Sequence, residues 1–472
     1  IVGYVSEVTP RDLKEKEYLQ DFRIEEIAIG KTGIESLYDQ QMLGQPGYLR
    51  YEVNAYGKKI RQVGTERGNK GQTFRTTLDQ EIQIYAADLI KDVSGAVCVM
   101  DIYTGDVVSM VSSPPFNPNA FVHGIAKKDW DELINHRDKP LLNKAVSGLY
   151  PPGSTIKTLT ALSALENDIS NTRFTVECTG YIDLHGERFH CWKKEGHGFV
   201  NMRKGIKHSC DVFFYEVARK LGIDRLSETA KKFGLGSKVL TGIKEEKSGV
   251  VPNTKWKLQQ LGKNWYLGET LHSGIGQGYF LTTPIQLCLM TAQLANGGYK
   301  LNPRLIINEE NQNNNLLDFL NFKNTNNSMS TYEDIQRFNL KPLFRNQENI
   351  NFVKEAMYAA TNEPGGTSYA SRIEDKDFMF GGKTGSSQIK VFTQEQREDE
   401  VKQSQMPYLD RDHAWFVAFA PVQDPKYAIS VLVEHGGTGS GAAAPIAKKV
   451  IRKVIERDPI RKSFVNPIGQ DV

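Results

Sequence analysis

The run GLYPPGSTIKTLTALSALEN, Gly148 to Asn167, decides how the rest of the chain is read. Pro151, Pro152 and Gly153 cannot continue a helix, so the spacing predicts that one begins at Ser154. Ile156, Leu159, Leu162 and Leu165 then line an apolar face. Ser154 and Lys157, three apart, are neighbours on one side of it. A serine at a helix N-terminus meets the positive end of the helix dipole and unpaired N–H groups. Its hydroxyl is a weak nucleophile until a base takes its proton. A neutral lysine can be that base when burial and a second cation depress its pKa. Taken alone, the pair also reads as a capping serine beside a lysine that reaches to solvent.

Two further stretches lift the pair above that reading. In KHSCDVFFYEVARKLG, Lys207 to Gly222, Ser209 and Asp211 lie two apart and can point the same way. Ser209 suits relay of a proton to a leaving amine, and Asp211 suits a hydrogen bond to a substrate amide or to Lys157. Their alternative is an N-cap pair ahead of a helix over 212–221. In KDFMFGGKTGSSQIKVF, Lys376 to Phe392, Phe378 and Phe380 alternate as in a strand, and the pattern resumes at Ile389 and Val391. The Gly and Ser residues between them let a substrate backbone approach a strand edge, where Lys383 places a cation.

A second G-K-T-G occurs at Gly30–Gly33, leading into GIESLYD. It reads as a solvated turn between strand and helix. Neither copy is a phosphate loop, because Glu25 and Asp377 stand where the first glycine is required. Ser-x-x-Lys, Ser-x-Asp and Lys-Thr-Gly thus follow one another at 154, 209 and 383. That is the order of acyl-serine enzymes that react with β-lactams. The copy at Gly30 precedes the serine and is excluded.

The 472 residues carry 59 basic and 56 acidic side chains, a net charge of +3 that argues against a nucleic-acid binder. No stretch approaches 18 apolar residues, as a membrane-spanning helix would need. The opening Ile1-Val2-Gly3-Tyr4-Val5 has the look of mid-strand and reads as part of a longer protein, without a signal peptide.

Residues 1–75 form a small mixed module with strands at IVGYV and YLRYEVNAYG and a short helix closed by Gly44. A helix capped by Thr77 or Asp79 follows, and then a hairpin turning at YTGD. Helix-rich sequence fills 140–300. LIINEENQNNNLLDFLNFKNTNNSMS, Leu305 to Ser330, reads as a surface insertion, and REDEVKQSQ, Arg397 to Gln405, as a second polar excursion. HAWFVAFAPV and KYAISVLVEHGG are strands, and AAAPIAKKVIRKVIERD is a closing helix. The whole is an α+β pattern.

GLYPPGSTIK, SCDVFFYEVARKLGID, SGIGQGYFLTTPIQL, GGTSYA, GGKTGSSQ and HAWFVAFAPVQDPKYAISVLVEHGG together resemble the class B penicillin-binding proteins, most closely the elongation type, penicillin-binding protein 2. GKTGIESLYDQQMLGQPG resembles the module that precedes the catalytic domain in that family. The resemblance implies the penicilloyl-serine-transferase fold, an antiparallel sheet flanked by helices with a helical subdomain. A pedestal over 1–75 precedes a transpeptidase domain over 76–472.

It also implies D,D-transpeptidation of D-Ala-D-Ala stem peptides of peptidoglycan, acylation by β-lactams, and no cofactor for catalysis. The catalytic domain is expected in the bacterial periplasm, held to the inner membrane by an N-terminal anchor outside this stretch. The expected partners are a RodA-type glycosyltransferase and an MreC-type scaffold. By motif, Ser154 is the nucleophile, Lys157 the base and Ser209 the relay. Lys383 and Thr384 bind the substrate carboxylate beside Gly385, and the backbone N–H groups of Ser154 and Ser386 form an oxyanion hole. Asp211 stands where the wider superfamily has Asn, a mark of the elongation type. A serine β-lactamase, a D,D-carboxypeptidase and a β-lactam sensor share the trio.

The five cysteines are Cys98, Cys178, Cys191, Cys210 and Cys288. Cys98 and Cys288 sit in apolar runs and read as core. Cys178, Cys191, His197 and Cys210 make a Cys₃His set suited to structural zinc. The competing reading is a Cys178–Cys191 disulfide, favoured by an oxidising periplasm. Cys210 lies between Ser209 and Asp211, so a metal there would pin the catalytic loop from behind.

Overall fold

The structure is a computed structural model, and it describes residues 1–21, 27–240, 242–307, 341–390 and 402–460. The Asn-rich stretch beyond Ile307 and the start of the 397–405 excursion lie outside the described residues.

The chain forms two compact units. The larger one is built on a five-stranded antiparallel sheet with the order β3-β4-β5-β1-β2. Its strands are β1 (Gly95–Asp101), β2 (Val107–Ser113), β3 (Gly381–Ser387), β4 (His413–Ala420) and β5 (Tyr427–Val433). Register is explicit: Lys383 faces Val417, Val417 faces Ser430, and Ser430 faces Cys98. β1, β4 and β5 are buried almost throughout, because helices cover both faces.

Alternate residues supply each face. Val97, Val99, Phe416, Ala418, Ile429 and Val431 pack under α1 (Gln80–Ile90) and the closing helix α6 (Ala444–Arg457). On the opposite face lies α4 (Pro284–Ala295), whose Cys288 sulfur sits 3.4 Å from the Cys98 carbonyl oxygen. Both thiols are fully buried, as their apolar context predicts. α1 is capped by Asp79, which accepts from the Ile82 N–H at 3.0 Å. Thr77 instead donates to the Val107 carbonyl, tying the helix start to the sheet.

The helical part holds α2 (Lys157–Glu166), α3 (Asp211–Leu221) and α5 (Gln347–Asn362). α2 departs from the amphipathic pattern: Lys157 to Leu165 are all buried. Its polar side chains are satisfied internally. The Thr160 hydroxyl donates to the Gly274 carbonyl at 2.9 Å, and Ser163 shares a hydrogen bond with Thr229 at 2.7 Å. The apolar stripe alone therefore understated the burial.

Within the helix-rich region the structure inserts two small hairpin ladders, Thr175–Cys178 with Gly198–Asn201 and Tyr181–Leu184 with Glu187–His190. The second turns at His185-Gly186, both at positive φ, as a two-residue hairpin requires. Four-residue strands are too short for alternation to reveal them.

The smaller unit holds residues 1–76, 115–141 and 241–246. The division at 75/76 drawn from sequence differs here, since two later segments return to the first unit. Aromatic packing ties in 115–141, with Tyr4 4.4 Å from Phe121 between ring centroids and Phe121 edge-on to Trp130, and the Gly33 N–H donates to Glu245 of 241–246 at 3.0 Å. The first G-K-T-G joins the strand Ala28–Gly30 to the helix Gly33–Leu37. It is less solvated than expected: Gly30 is buried and donates its N–H to Asp39 at 2.8 Å.

An acid-sensitive point lies at the start of β4. The Nδ1 of His413 accepts from the His435 N–H at 3.1 Å, an arrangement that needs the neutral ring. Burial first, then His435, lowers the His413 pKa from 6.5 to about 4, while Glu434 pulls the other way. Between those values the unfolded chain binds a proton that the folded one refuses, so stability falls as pH drops through this window. The parent should lose about 2–3 kcal/mol more than His413→Asn between pH 6.5 and 4, measured as melting temperature against pH. Equal acid sensitivity in the two chains would show that His413 is not the titrating group.

Candidate active site

Ser154 lies in a short 3₁₀ turn, Gly153–Ile156, that runs directly into α2. Gly153, Thr155, Ile156 and Lys157 are buried, while Ser154 keeps partial access to solvent. Ser154 is thus the part-exposed residue of an otherwise buried turn. Gly153 has φ +53, and a Cβ there would stand 2.5 Å from the Ser386 carbonyl oxygen. Only glycine lets this turn lie against β3. Gly276, also at positive φ, packs against Gly153 from behind and accepts its N–H at 2.9 Å.

β3 is the edge of the sheet. Its glycines are explained by protein packing rather than by space for a substrate. A Cβ on Gly382 would meet the Phe416 ring at 2.4 Å, and one on Gly385 would meet the Thr155 methyl at 2.9 Å. Along Gly381–Ser387 only Ser386 is partly open to solvent. The strand ends at Ser387; Ile389 is exposed and does not extend it.

Three charged groups meet in the interior between these elements. The Lys157 ammonium donates to the Asp211 carboxylate at 2.7 Å, to the Ser209 carbonyl at 2.9 Å and to the Ser209 hydroxyl at 3.3 Å. The Lys383 ammonium donates to the same hydroxyl at 2.9 Å and to the Thr384 carbonyl at 2.9 Å. Ser209 Oγ therefore bridges the two lysines. Both lysines are fully buried.

Burial, and then the charge of Lys157, pushes the Lys383 pKa well down, with Asp211 opposing. Burial raises the Asp211 pKa, opposed by Lys157. The second Asp211 oxygen accepts from the Trp192 N–H at 2.9 Å. Each Asp211 oxygen thus holds one protein donor, the Lys157 ammonium and the Trp192 N–H. The cap of α3 is Cys210, whose sulfur accepts from the Phe213 N–H, not the Ser209/Asp211 pair.

Several contributors had no signal in the trio. Thr367 accepts the Thr384 hydroxyl at 3.0 Å, and Gln277 donates to the Ser386 carbonyl at 3.1 Å. The Trp415 indole donates to the Pro151 carbonyl at 3.1 Å, beside Ser387. Thr367 and Gln277 fall in GGTSYA and SGIGQG, stretches legible as resemblance but not as roles. Thr384 is nearly buried, and Gly385 is buried.

Behind the loop, Cys178, Cys191, His197 and Cys210 converge, with their ligand atoms within 4.8 Å of one another. The three cysteines are buried and free of disulfides. His197 Nδ1 lies 3.7 Å from Cys178 Sγ and 3.5 Å from Cys191 Sγ. A tetrahedral zinc site with ordinary Zn–S and Zn–N bonds has N···S edges of about 3.6 Å. Among the described residues His197 Nε2 is buried without a hydrogen-bond partner, and Nδ1 meets the Cys178 and Cys191 sulfurs. A hydrogen bond from Cys210 draws the Cys191 pKa down to about 2, while Cys210 itself goes up. Burial raises the Cys178 pKa as well, so within the set the thiolate, the form that binds metal, is favoured at Cys191 alone.

Two buried lysines bridged by one serine hydroxyl, with a part-exposed serine in a turn that lies against the edge of a helix-covered antiparallel sheet, are the framework of a serine acyl transferase. Residues 95–452 match the penicillin binding protein transpeptidase domain, and residues 1–76 the penicillin-binding protein dimerisation domain. The chain belongs to the penicillin-binding protein transpeptidase family.

It is 34% identical over 456 residues to the peptidoglycan D,D-transpeptidase MrdA of Salmonella typhimurium, covering 96% of this chain and 70% of that one. Its fold superposes on the complex of penicillin-binding protein PBP2 and MreC from Helicobacter pylori with a TM-score of 0.79 at 32% identity, covering 97% of this chain and 77% of that one. Pseudomonas aeruginosa PBP2 in complex with WCK 5153 gives a TM-score of 0.74 at 31% identity, with 95% and 88% covered.

Proposed function

We propose that this chain is a peptidoglycan D,D-transpeptidase of the elongation type. The observation that carries the reading is the Lys157–Ser209–Lys383 bridge, with the part-exposed Ser154 three residues ahead of Lys157 in the same turn-and-helix run. Ser154 attacks the carbonyl of the penultimate D-Ala. Lys157 accepts the serine proton and gives a proton to the Ser209 hydroxyl as that hydroxyl passes its own to the departing D-Ala amine, so Ser209 ends unchanged. The oxyanion is held by the N–H groups of Ser154 and Ser386.

The carboxylate of the terminal D-Ala sits against Lys383, Thr384 and Ser386, alongside Gly385. Its negative charge favours a protonated Lys383. An amine from a neighbouring stem peptide then takes the acyl group and restores Ser154. β-Lactams enter as mimics of the D-Ala-D-Ala end.

Intact mass with benzylpenicillin, followed by a donor–acceptor stem-peptide assay, tests the reading. One long-lived adduct is expected, together with a cross-linked dimer of stem peptides and released D-Ala. An adduct lost within minutes would instead indicate a β-lactamase. An adduct without cross-linking would indicate a sensor, and release of D-Ala without cross-linking a carboxypeptidase.

Cys178, Cys191, Cys210 and His197 are proposed to hold a structural zinc ion, whose role is to brace the loop bearing Ser209 and Asp211 rather than to act on substrate. The catalytic unit works in the periplasm of a bacterium, attached to the inner membrane. Among the described residues no helix is long and apolar enough to cross a membrane. Residues 1–75 serve as a docking pedestal for an MreC-type scaffold and a RodA-type glycosyltransferase. In support, the Helicobacter pylori relative was solved with MreC. Co-purification with both partners should be lost when residues 1–75 are deleted; partners that still bind the remaining chain would refute the docking role.

A further inference from the structure

The loop that carries Ser209 is strained. Ser209 has φ +55, a left-handed conformation that costs a residue other than glycine about 1–3 kcal/mol and persists only where the surroundings over-determine it. Two side chains among the described residues donate to its carbonyl: Lys157 at 2.9 Å and the Trp192 indole at 3.1 Å. The same indole N–H reaches the His208 carbonyl at 3.0 Å, while the Trp192 backbone N–H binds Asp211 at 2.9 Å. Trp192 directly follows Cys191, whose own N–H is fixed to the Gly180 carbonyl at 2.7 Å.

Burial does not explain a tryptophan here, because Trp192 is 62% exposed. Its ring leans edge-on against His197 at 5.3 Å, and its N–H points back into the loop.

We propose that Trp192 is a positioning residue: through its indole and backbone N–H groups it transmits the placement of the Cys178–Cys191–His197–Cys210 cluster to Ser209 and Asp211. The inference rests on the acyl-transfer reading, in which Ser209 Oγ must stay between Lys157 and Lys383. Displacements of about 1 Å at such a site cost roughly 100-fold in rate.

The decisive variant is Trp192→Phe, which keeps an aromatic ring, though a smaller one, and the backbone N–H while removing the indole donor. With nitrocefin as probe, the first-order acylation constant at saturation should fall roughly 10- to 100-fold. The dissociation constant of the initial complex should stay within about 2-fold, and final acylation should reach one equivalent, as in the parent. A weakened initial complex with unchanged acylation would make Trp192 a ligand contact and overturn the proposal. So would a lower melting temperature with normal acylation per folded molecule.

A second measurement is independent of catalysis. Hydrogen exchange of the Ser209 and Cys210 amides should accelerate at least about 10-fold in Trp192→Phe while α3 keeps its protection. Unchanged exchange overturns the proposal even if the parent protein never acylates. Failure of the parent to acylate sinks the acyl-transfer reading instead.

Discussion

A Ser154→Ala chain gains no mass in benzylpenicillin, while the parent gains one drug equivalent and holds it. The expected loss is at least about 1,000-fold in acylation rate, because no other group can form the ester when the nucleophile is removed. The substitution is also mild for the fold. Ser154 is part-exposed, and its turn is held by Gly153 and Thr155, whose hydroxyl donates to the Pro152 carbonyl at 2.8 Å. The melting temperature should therefore stay within about 2 °C.

A lysine variant makes the companion case and needs more care. Lys157→Met alone leaves the Asp211 carboxylate buried without its cation, a defect of about 3–5 kcal/mol. The double variant Lys157→Met/Asp211→Asn removes both charges. It should fold, yet acylate no faster than Ser154→Ala. An adduct retained on the Ser154→Ala chain would mean that another residue is the nucleophile, and the whole reading of the 148–167 run would go with it.

The second large effect concerns the cysteines. The purified chain should carry about one zinc per molecule, and stripping it should lower the melting temperature by roughly 10 °C or more while slowing acylation. Cys210→Ser is the sharpest variant. Serine caps a helix at least as well as cysteine, so α3 keeps its start. What disappears is one ligand of four, directly between Ser209 and Asp211. Zinc content should fall in step with acylation.

The disulfide alternative predicts a different thiol count. Denatured protein should titrate five thiols if all are free, and three if Cys178 and Cys191 are joined. Zinc far below one per chain in metal-controlled buffer, or a melting temperature indifferent to chelator, would remove the metal from the proposal.

Much of this molecule is written in local pattern. Pro151, Pro152 and Gly153 announce the start of a helix because two prolines and a glycine cannot extend one. The alternating apolar runs at 413–420 and 427–433 announce strands because side chains alternate across a sheet. Ser154, Ser209 and Lys383 stand out as candidates because acyl transfer needs a nucleophile, a relay and a carboxylate-binding cation, and few spacings supply all three. The hairpins over 175–201 were not legible, since their strands are four residues long and their turns depend on backbone geometry. Trp192, Thr367 and Gln277 were missed as contributors, because a single hydrogen-bonding residue in a loop has no period.

By itself the sequence determined which residues are chemically capable and the elements that carry them, because propensity, capping and alternation act over a few neighbouring residues. It also determined which G-K-T-G could be catalytic, through its order after the serine. Only the tertiary structure decided that Lys157 and Lys383, 226 positions apart by number, share one serine hydroxyl. It alone decided that the glycines of β3 accommodate Phe416 and Thr155, that α2 is buried on every side, and that residues 115–141 return to the first unit. These are outcomes of packing between distant segments. Their energies depend on which surfaces meet, and nothing in a local window specifies that.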